Sequence, residues 1–252
     1  MEPVRRTFLD WDVLAQTLPR LLTEGLRNTL VIAFLSSLVG VTIGLGMAAL
    51  LLSRRWWLRL PVRTYVETFR GIPAIVTVML IGIGLPAAGL RPFGREPYGY
   101  AVLAIGVISG AYLAEVFQSG VRSVDPAQIQ AVRVDGGTRT QAFRLVVVPQ
   151  TIRYVLPTMA GQFVKDVKES SLVYVLGLGV GQRELFFIAQ EEGIRAYNSS
   201  PLVAAAICYL VITVPLSYLV GRVMPRHTDR PYPSARRHRM PRTAPIAAGV
   251  MQ

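Results

Sequence analysis

The chain has one cysteine, Cys208, and two histidines, His227 and His238. A single thiol makes no intrachain disulfide and no cysteine-based metal site. Its place inside an uncharged apolar run assigns it to packing. Both histidines lie in the C-terminal tail, which excludes a histidine dyad or zinc site near a membrane core and the hydrolases built on one. An intramembrane aspartyl enzyme needs two embedded aspartates, and only Asp166 qualifies. The glycines of "LGLGVGQ" (residues 176–182) are followed by no Gly-Lys-Ser/Thr, so they are not a phosphate loop. They read as a turn. The chain is expected to be no enzyme, to hold no cofactor or metal, and to have no ATP site of its own.

Long apolar runs are what it has. Of its 252 residues 52% are hydrophobic, and the formal charge is +12. "LRNTLVIAFLSSLVGVTIGLGMAALLL" (residues 26–52) carries no charge after Arg27. About 20 such residues, each rising ~1.5 Å, cross a hydrocarbon core of ~30 Å. Residues 72–90, 98–120 and 201–221 are further spans, the first with Pro at both ends and the second with one charge, Glu115. The remaining span is expected to start near Pro157 and end near Val180, after an interfacial helix reaching Leu156. Its charges, Lys165, Asp166, Lys168 and Glu169, then lie in the inner half of the span or in a polar cavity. Gly40 and Gly44 suit close helix contact in the first span. The fold expected is an all-α integral membrane protein of about five transmembrane helices.

The arginines orient it. Arg54, Arg55, Arg59 and Arg63 fill the first connector, Arg122, Arg133, Arg139, Arg144 and Arg153 the third, and seven more the tail. The second and fourth connectors hold only Arg91, Arg95, Arg183 and Arg195. Basic residues collect on the cytoplasmic side, so the N terminus is expected outside and the C terminus in the cytoplasm of a bacterial cell membrane. This pattern accounts for the basic balance without nucleic acid. Residues 1–20 read as an extracytoplasmic segment lacking the apolar core of a signal peptide, and 21–222 as the transmembrane domain. Residues 223–252, rich in Pro and Arg without apolar periodicity, read as a disordered tail touching anionic lipid headgroups. "YNSS" contains a sequon at Asn198, a match frequent by chance.

"AQIQAVRVDGGTRTQAFRLVVVPQ" (residues 127–150) is different: polar, broken by Gly-Gly, then apolar up to a proline. Asp125-Pro126 starts a helix and Gly136-Gly137 ends it. The product is a short amphipathic helix on the Arg-rich side. It lies on the membrane or docks into a groove on a cytosolic partner.

These residues resemble the cytoplasmic loop of ABC importer permeases of the polar amino acid uptake group. That family carries a pattern near Gly-Gln-x-Glu-Ala-Ala-x-Ala-Leu-Gly, then an apolar triplet and Pro-Gln. Residues 127–136 and Val146-Val147-Val148-Pro149-Gln150 match it at suitable spacing. "RGIPAIV" from Arg70, "AYLAEVFQSGV" from Ala111 and "KESSLVYVLGL" from Lys168 are similar to three further family segments, in order, and the likeness covers residues 21–220. Gln130 replaces the family's Glu, Val132 and Val134 two alanines, Asp135 a Leu, and Gln118-Ser119 an Arg-Gly. The resemblance implies the type I importer fold and an amino acid solute, polar or charged. It also implies a second permease subunit, an external solute-binding protein and two cytosolic ATPases that bind ATP and Mg. Coupling to the ATPases falls on Gln128, Gln130, Ala131, Arg133, Asp135 and Gly136. An energy-independent carrier with a degenerate loop is the alternative.

Two polar sets remain. Arg70 and Glu115 both fall at the inner leaflet and are expected to pair, since a charge in lipid is costly. Lys168, Glu169, Ser170 and Ser171 are the candidate pathway or substrate residues. Lys165 and Glu169 can meet across one helical turn.

Overall fold

The computed structural model describes residues 7–223, and among these it is helical throughout, with no strand. Helix α1 (Trp11–Arg20) is capped by Asp10, whose carboxylate accepts from the amides of Asp12 and Val13 at 3.1 and 3.4 Å. Pro19 has no N–H to donate, and the helix relaxes into a wide turn over Leu21–Gly25 before continuing as α2 (Leu26–Leu51). The first helix thus starts well before the apolar run that defined the first span. A helix is closed by its backbone hydrogen bonds, and the polar residues 11–20 are good enough helix formers to extend it.

α2 packs along α5 (Pro97–Arg122) through glycines on both sides. A Cβ on Gly40 or Gly44 would lie 2.7 or 2.8 Å from the side chains of Ser109 or Leu113. Gly106 and Gly110 on α5 accommodate Val39 and Ile43 in return. The small-xxx-small pair expected on one helix therefore has a matching pair on the other. Without hydrophobic drive between helices in lipid, such close backbone approach is the main source of packing energy.

The first connector, read only as carrying Arg54, Arg55, Arg59 and Arg63, is helix α3 (Trp56–Gly71). Val62 and Val66, four apart, bury against Leu51 and Ala114, and the Tyr65 hydroxyl donates to the carbonyl of Val107 at 2.7 Å. Searching for uncharged runs missed it because its arginines interrupt the apolar stripe. Ile72 is extended, as a residue before proline prefers. The chain bends there by 111° into α4 (Ala74–Ala87), shorter than the expected run to Leu90.

α6 (Pro126–Val134) follows α5 at the end where α2 finishes, since the Gln118 amide donates to the Leu51 carbonyl at 3.1 Å. Thr138 and Gln141 form a reciprocal cap opening α7 (Arg139–Ala142), which runs on through a wide turn at Phe143–Val147 into α8 (Val148–Glu169). The break expected near Pro157 is absent: α8 passes through that proline with Val155 and Val164 buried on either side of it. A tight turn, Ser170–Leu176, ends at Gly177 with φ 67°. The outer connector was expected to be loop, yet holds α9 (Leu185–Ala196), and α10 (Ser200–Val223) completes the fold.

Among the described residues three helices are long and apolar enough to cross a membrane, with α3–α4 a fourth if that bent pair is one span. α8, with its five charged residues, is not among them. The tail, His227 and His238 lie outside the described residues.

Candidate functional site

The short helix α6 forms as its caps dictate. The Asp125 carboxylate accepts from the Ala127 amide at 2.8 Å, Pro126 occupies the first helical position, and Gly136 leaves at φ 83°. The Gly137 amide donates back to the Val132 carbonyl at 2.9 Å. None of its residues is buried; Val134 is 85% exposed. Gln128, Gln130, Ala131, Arg133, Asp135 and Gly136 all lie on the open surface. Gln128 accepts a hydrogen bond from Gln150, the glutamine of the Pro-Gln segment, at 2.5 Å. Arg133 donates to the Gly137 carbonyl at 3.1 Å. Among the described residues, this capped helix is held at Gln128 by Gln150 and otherwise leaves its polar side open.

The second feature lies around Tyr112 and Glu115 on α5, ten and seven residues before its last residue, Arg122, or about 15 and 10 Å along the helix. Arg70, at the end of α3, is salt-bridged to Glu115 on α5. Its guanidinium also lies 5.2 Å from the Tyr112 ring centre, and Lys165 on α8 lies 3.7 Å from the same ring. Two cations therefore share one aromatic ring. Lys165 in turn reaches Glu169 at 3.5 Å. Arg70, Glu115 and Lys165 remain 41%, 46% and 37% exposed within the protomer. One oxygen of Glu169, Oε2, is buried without a partner.

The four pathway candidates do not converge. Glu169 faces Lys165. Lys168 and Ser171 line a separate cavity of about 410 Å³ with Phe186 and Tyr209. Ser170 is fully buried and donates to the Val167 carbonyl at 2.8 Å. Helical geometry separates them, because neighbouring residues point about 100° apart.

Behind this face is a network that the sequence reading passed over. Asp166 is fully buried and accepts from Ser37 on α2 at 2.5 Å, from Ser109 on α5, and from Gln162 on its own helix at 3.0 Å. One carboxylate thus joins three helices and fixes the rotation of α8. The signal was the pair Gln162 and Asp166, four residues apart, together with hydroxyls inside apolar runs.

At the opposite end, Arg20 meets Glu192 at 2.7 Å, while Arg183 and Arg195 meet Glu191 at 2.5 and 2.9 Å. Partial burial opposes ionisation of Glu191, but Arg183 and Arg20 outweigh it and hold the carboxyl below its usual value. Glu184, buried at the start of α9, accepts from the amides of Phe186 and Phe187 and from the Tyr209 hydroxyl. Burial dominates those contacts and pushes its pKa up to about 7 from an ordinary 4.5. The folded chain then holds a proton there that the unfolded chain releases, so its stability falls as pH rises from about 4.5 to about 7. Glu184→Gln should flatten that part of the slope, read as the thermal midpoint of the purified protein between pH 5 and pH 8. An unchanged slope would mean that Glu184 is ionised throughout.

Residues 40–229 match the family of binding-protein-dependent transport system inner membrane components. The chain belongs to that family. It is 33% identical over 226 residues to the octopine transport system permease protein of Rhizobium meliloti, covering 87% of this chain and 89% of that one. The glutamine transport system permease protein of Escherichia coli K12 is 33% identical over 217 residues, with 85% and 95% covered. An amino acid ABC transporter crystallised with histidines superposes with a TM-score of 0.75 at 30% identity, covering 86% of this chain and 99% of that one. The chain is therefore a multi-pass membrane permease subunit with the all-helical type I importer fold.

Proposed function

We propose that this chain is one of two permease subunits in an ATP-driven importer of amino acids, polar or charged ones. The observation that carries the reading is the partly open charged face around Tyr112 on α5, a helix long and apolar enough to cross a membrane. Charges within a hydrocarbon core are expensive and face a partner or a water-filled path. Arg70, Glu115 and Lys165 lie together and half-open in the single protomer, with the more deeply buried Glu169 against Lys165. A second permease subunit, identical or homologous, would close over them and leave a polar route between the two. Glu169 and its unpartnered oxygen, with Lys165 beside it, would meet the solute; Lys168, Ser170 and Ser171 would support that region from behind. The names of the octopine, glutamine and amino acid relatives support the substrate class.

The arginine pattern supports a cytoplasmic C terminus and an outer N terminus. In that orientation α6 faces two cytosolic ATPases, which bind ATP and Mg. Closure of the ATPases would move α6, and the spans would rock between inward- and outward-facing states. The end formed by α9 and the Arg20–Glu192 network would receive the solute-binding protein. The domain limits 21–222 and 223–252 belong to the same reading, with tail and lipid in contact.

The test is uptake of labelled amino acids by vesicles containing the permease, ATPase and binding protein, with and without ATP inside. Gly136→Val should reduce uptake at least about tenfold while leaving insertion near normal. A β-branched residue at φ 83° strains the helix exit by on the order of 1–3 kcal/mol. Equal losses in uptake and insertion would refute a coupling role. Uptake that ignores ATP would favour an energy-independent carrier.

A further inference from the structure

We propose that the first half of α3 is a binding surface for the phosphate headgroups of anionic phospholipids. Arg55, Arg59 and Arg63 recur at four-residue intervals and so form one stripe along the helix, with Arg54 beside its start. Between them Trp56, Trp57 and Leu60 stand 68%, 53% and 55% exposed. The buried edge, where Val62 and Val66 meet Leu51, the last residue of α2, runs beside the stripe, three residues on from Arg59 and Arg63, and Trp57 and Leu60 stand on the open side. The stripe therefore lies at the level where the first span leaves the membrane.

Charge balance names the occupant. Among the described residues, none of these four guanidinium groups forms an ion pair or donates a hydrogen bond, and the one contact of this kind is Arg55 lying 5.7 Å from the Trp57 ring centre. At the other end of the molecule Arg20, Arg183 and Arg195 are all matched by glutamates of this chain. Four unmatched guanidiniums beside a span suit phosphate, whose oxygens take paired N–H donors. An acidic protein surface would satisfy the arginines but leave two tryptophans and a leucine uncovered. A lipid satisfies both, because indole rings settle at the boundary between headgroup and acyl chain. α3 ends at Arg70, so a headgroup held at one end bears on the helix that positions the charged face at the other. The cytoplasmic leaflet as the source of this lipid rests on the orientation proposed above.

Tryptophan fluorescence reports the contact directly. The chain has three tryptophans, so Trp11→Phe leaves only Trp56 and Trp57. The full-length variant would be placed in phosphatidylcholine vesicles containing an equal fraction of brominated phosphatidylglycerol or brominated phosphatidylcholine. The anionic lipid should quench more, with an excess of at least about threefold that falls with added salt. Changing Arg54, Arg55, Arg59 and Arg63 to Gln should remove the excess and leave quenching by phosphatidylcholine intact. Equal quenching by both lipids, or an excess that survives the four changes, overturns the proposal. Quenching by neither means that a protein covers the helix, and that also overturns it. ATPase co-purification of the four-Gln variant, run in parallel, separates this result from the importer reading: its loss with lipid selectivity intact would reassign the arginines to the ATPase.

Discussion

Asp166→Leu should lower the stability of the purified permease by about 2–4 kcal/mol, whereas Asp166→Asn should cost about 1 kcal/mol. Two effects compete. Leucine removes a carboxyl whose burial is itself costly, and such replacements are sometimes neutral or favourable. It also strands three donors that converge on Asp166 from Ser37, Ser109 and Gln162. The serines can turn back to a carbonyl in their own helices. The Gln162 amide is held between Ser109 and Asp166 and has no such escape. Stranding wins because the donors converge where three helices meet around a fully buried carboxyl. Asparagine keeps one acceptor oxygen, and a serine can rotate to accept from its amide. Thermal unfolding in detergent, followed by size-exclusion profile, reads both variants. A leucine variant as stable as the original protein would show that Asp166 is not the clamp.

Arg70→Glu should reduce ATP-driven uptake by about tenfold or more, and adding Glu115→Arg should recover most of it. An ion pair this exposed in a single protomer is worth little when water surrounds it. Its place on an apolar span changes the balance: reversal sets two carboxylates against one another where a charge is costly to hold. Tyr112 also loses one of its two cations. The exchanged pair restores the attraction but sets arginine on α5, where its longer side chain alters the distance to Lys165. Recovery should therefore be substantial and incomplete. Uptake that stays at the single-variant level in the double exchange would show that Arg70 and Glu115 act separately.

The sequence made the caps legible because capping chemistry is local. Asp125-Pro126 and Gly136-Gly137 bound α6 with no help from the rest of the fold. The apolar runs likewise marked α2, α5 and α10, since length and lack of charge are properties of one segment. Helix α3 escaped because its hydrophobic side is two valines wide and its partners, Leu51 and Ala114, are distant in sequence. The limits of α8 escaped for a related reason. Proline discourages a helix locally, but packing on both sides of Pro157 overrides that preference. Glu169 and Lys165 were adjacent by helical spacing. That Tyr112 joins Lys165 to Arg70 depends on three helices meeting, and no spacing rule within one helix contains it. Asp166 looked unremarkable as a lone aspartate because its partners are hydroxyls scattered through apolar runs.

The central claim is that α6 is where this permease takes up work from a cytosolic ATPase. It is tested most directly by co-purifying the detergent-solubilised permease with its co-expressed ATPase, comparing the intact chain with one lacking residues 128–136. Retention of ATPase by the intact chain and its loss in the deletion, at equal membrane insertion, is the predicted result. ATPase held equally well by both forms would contradict it.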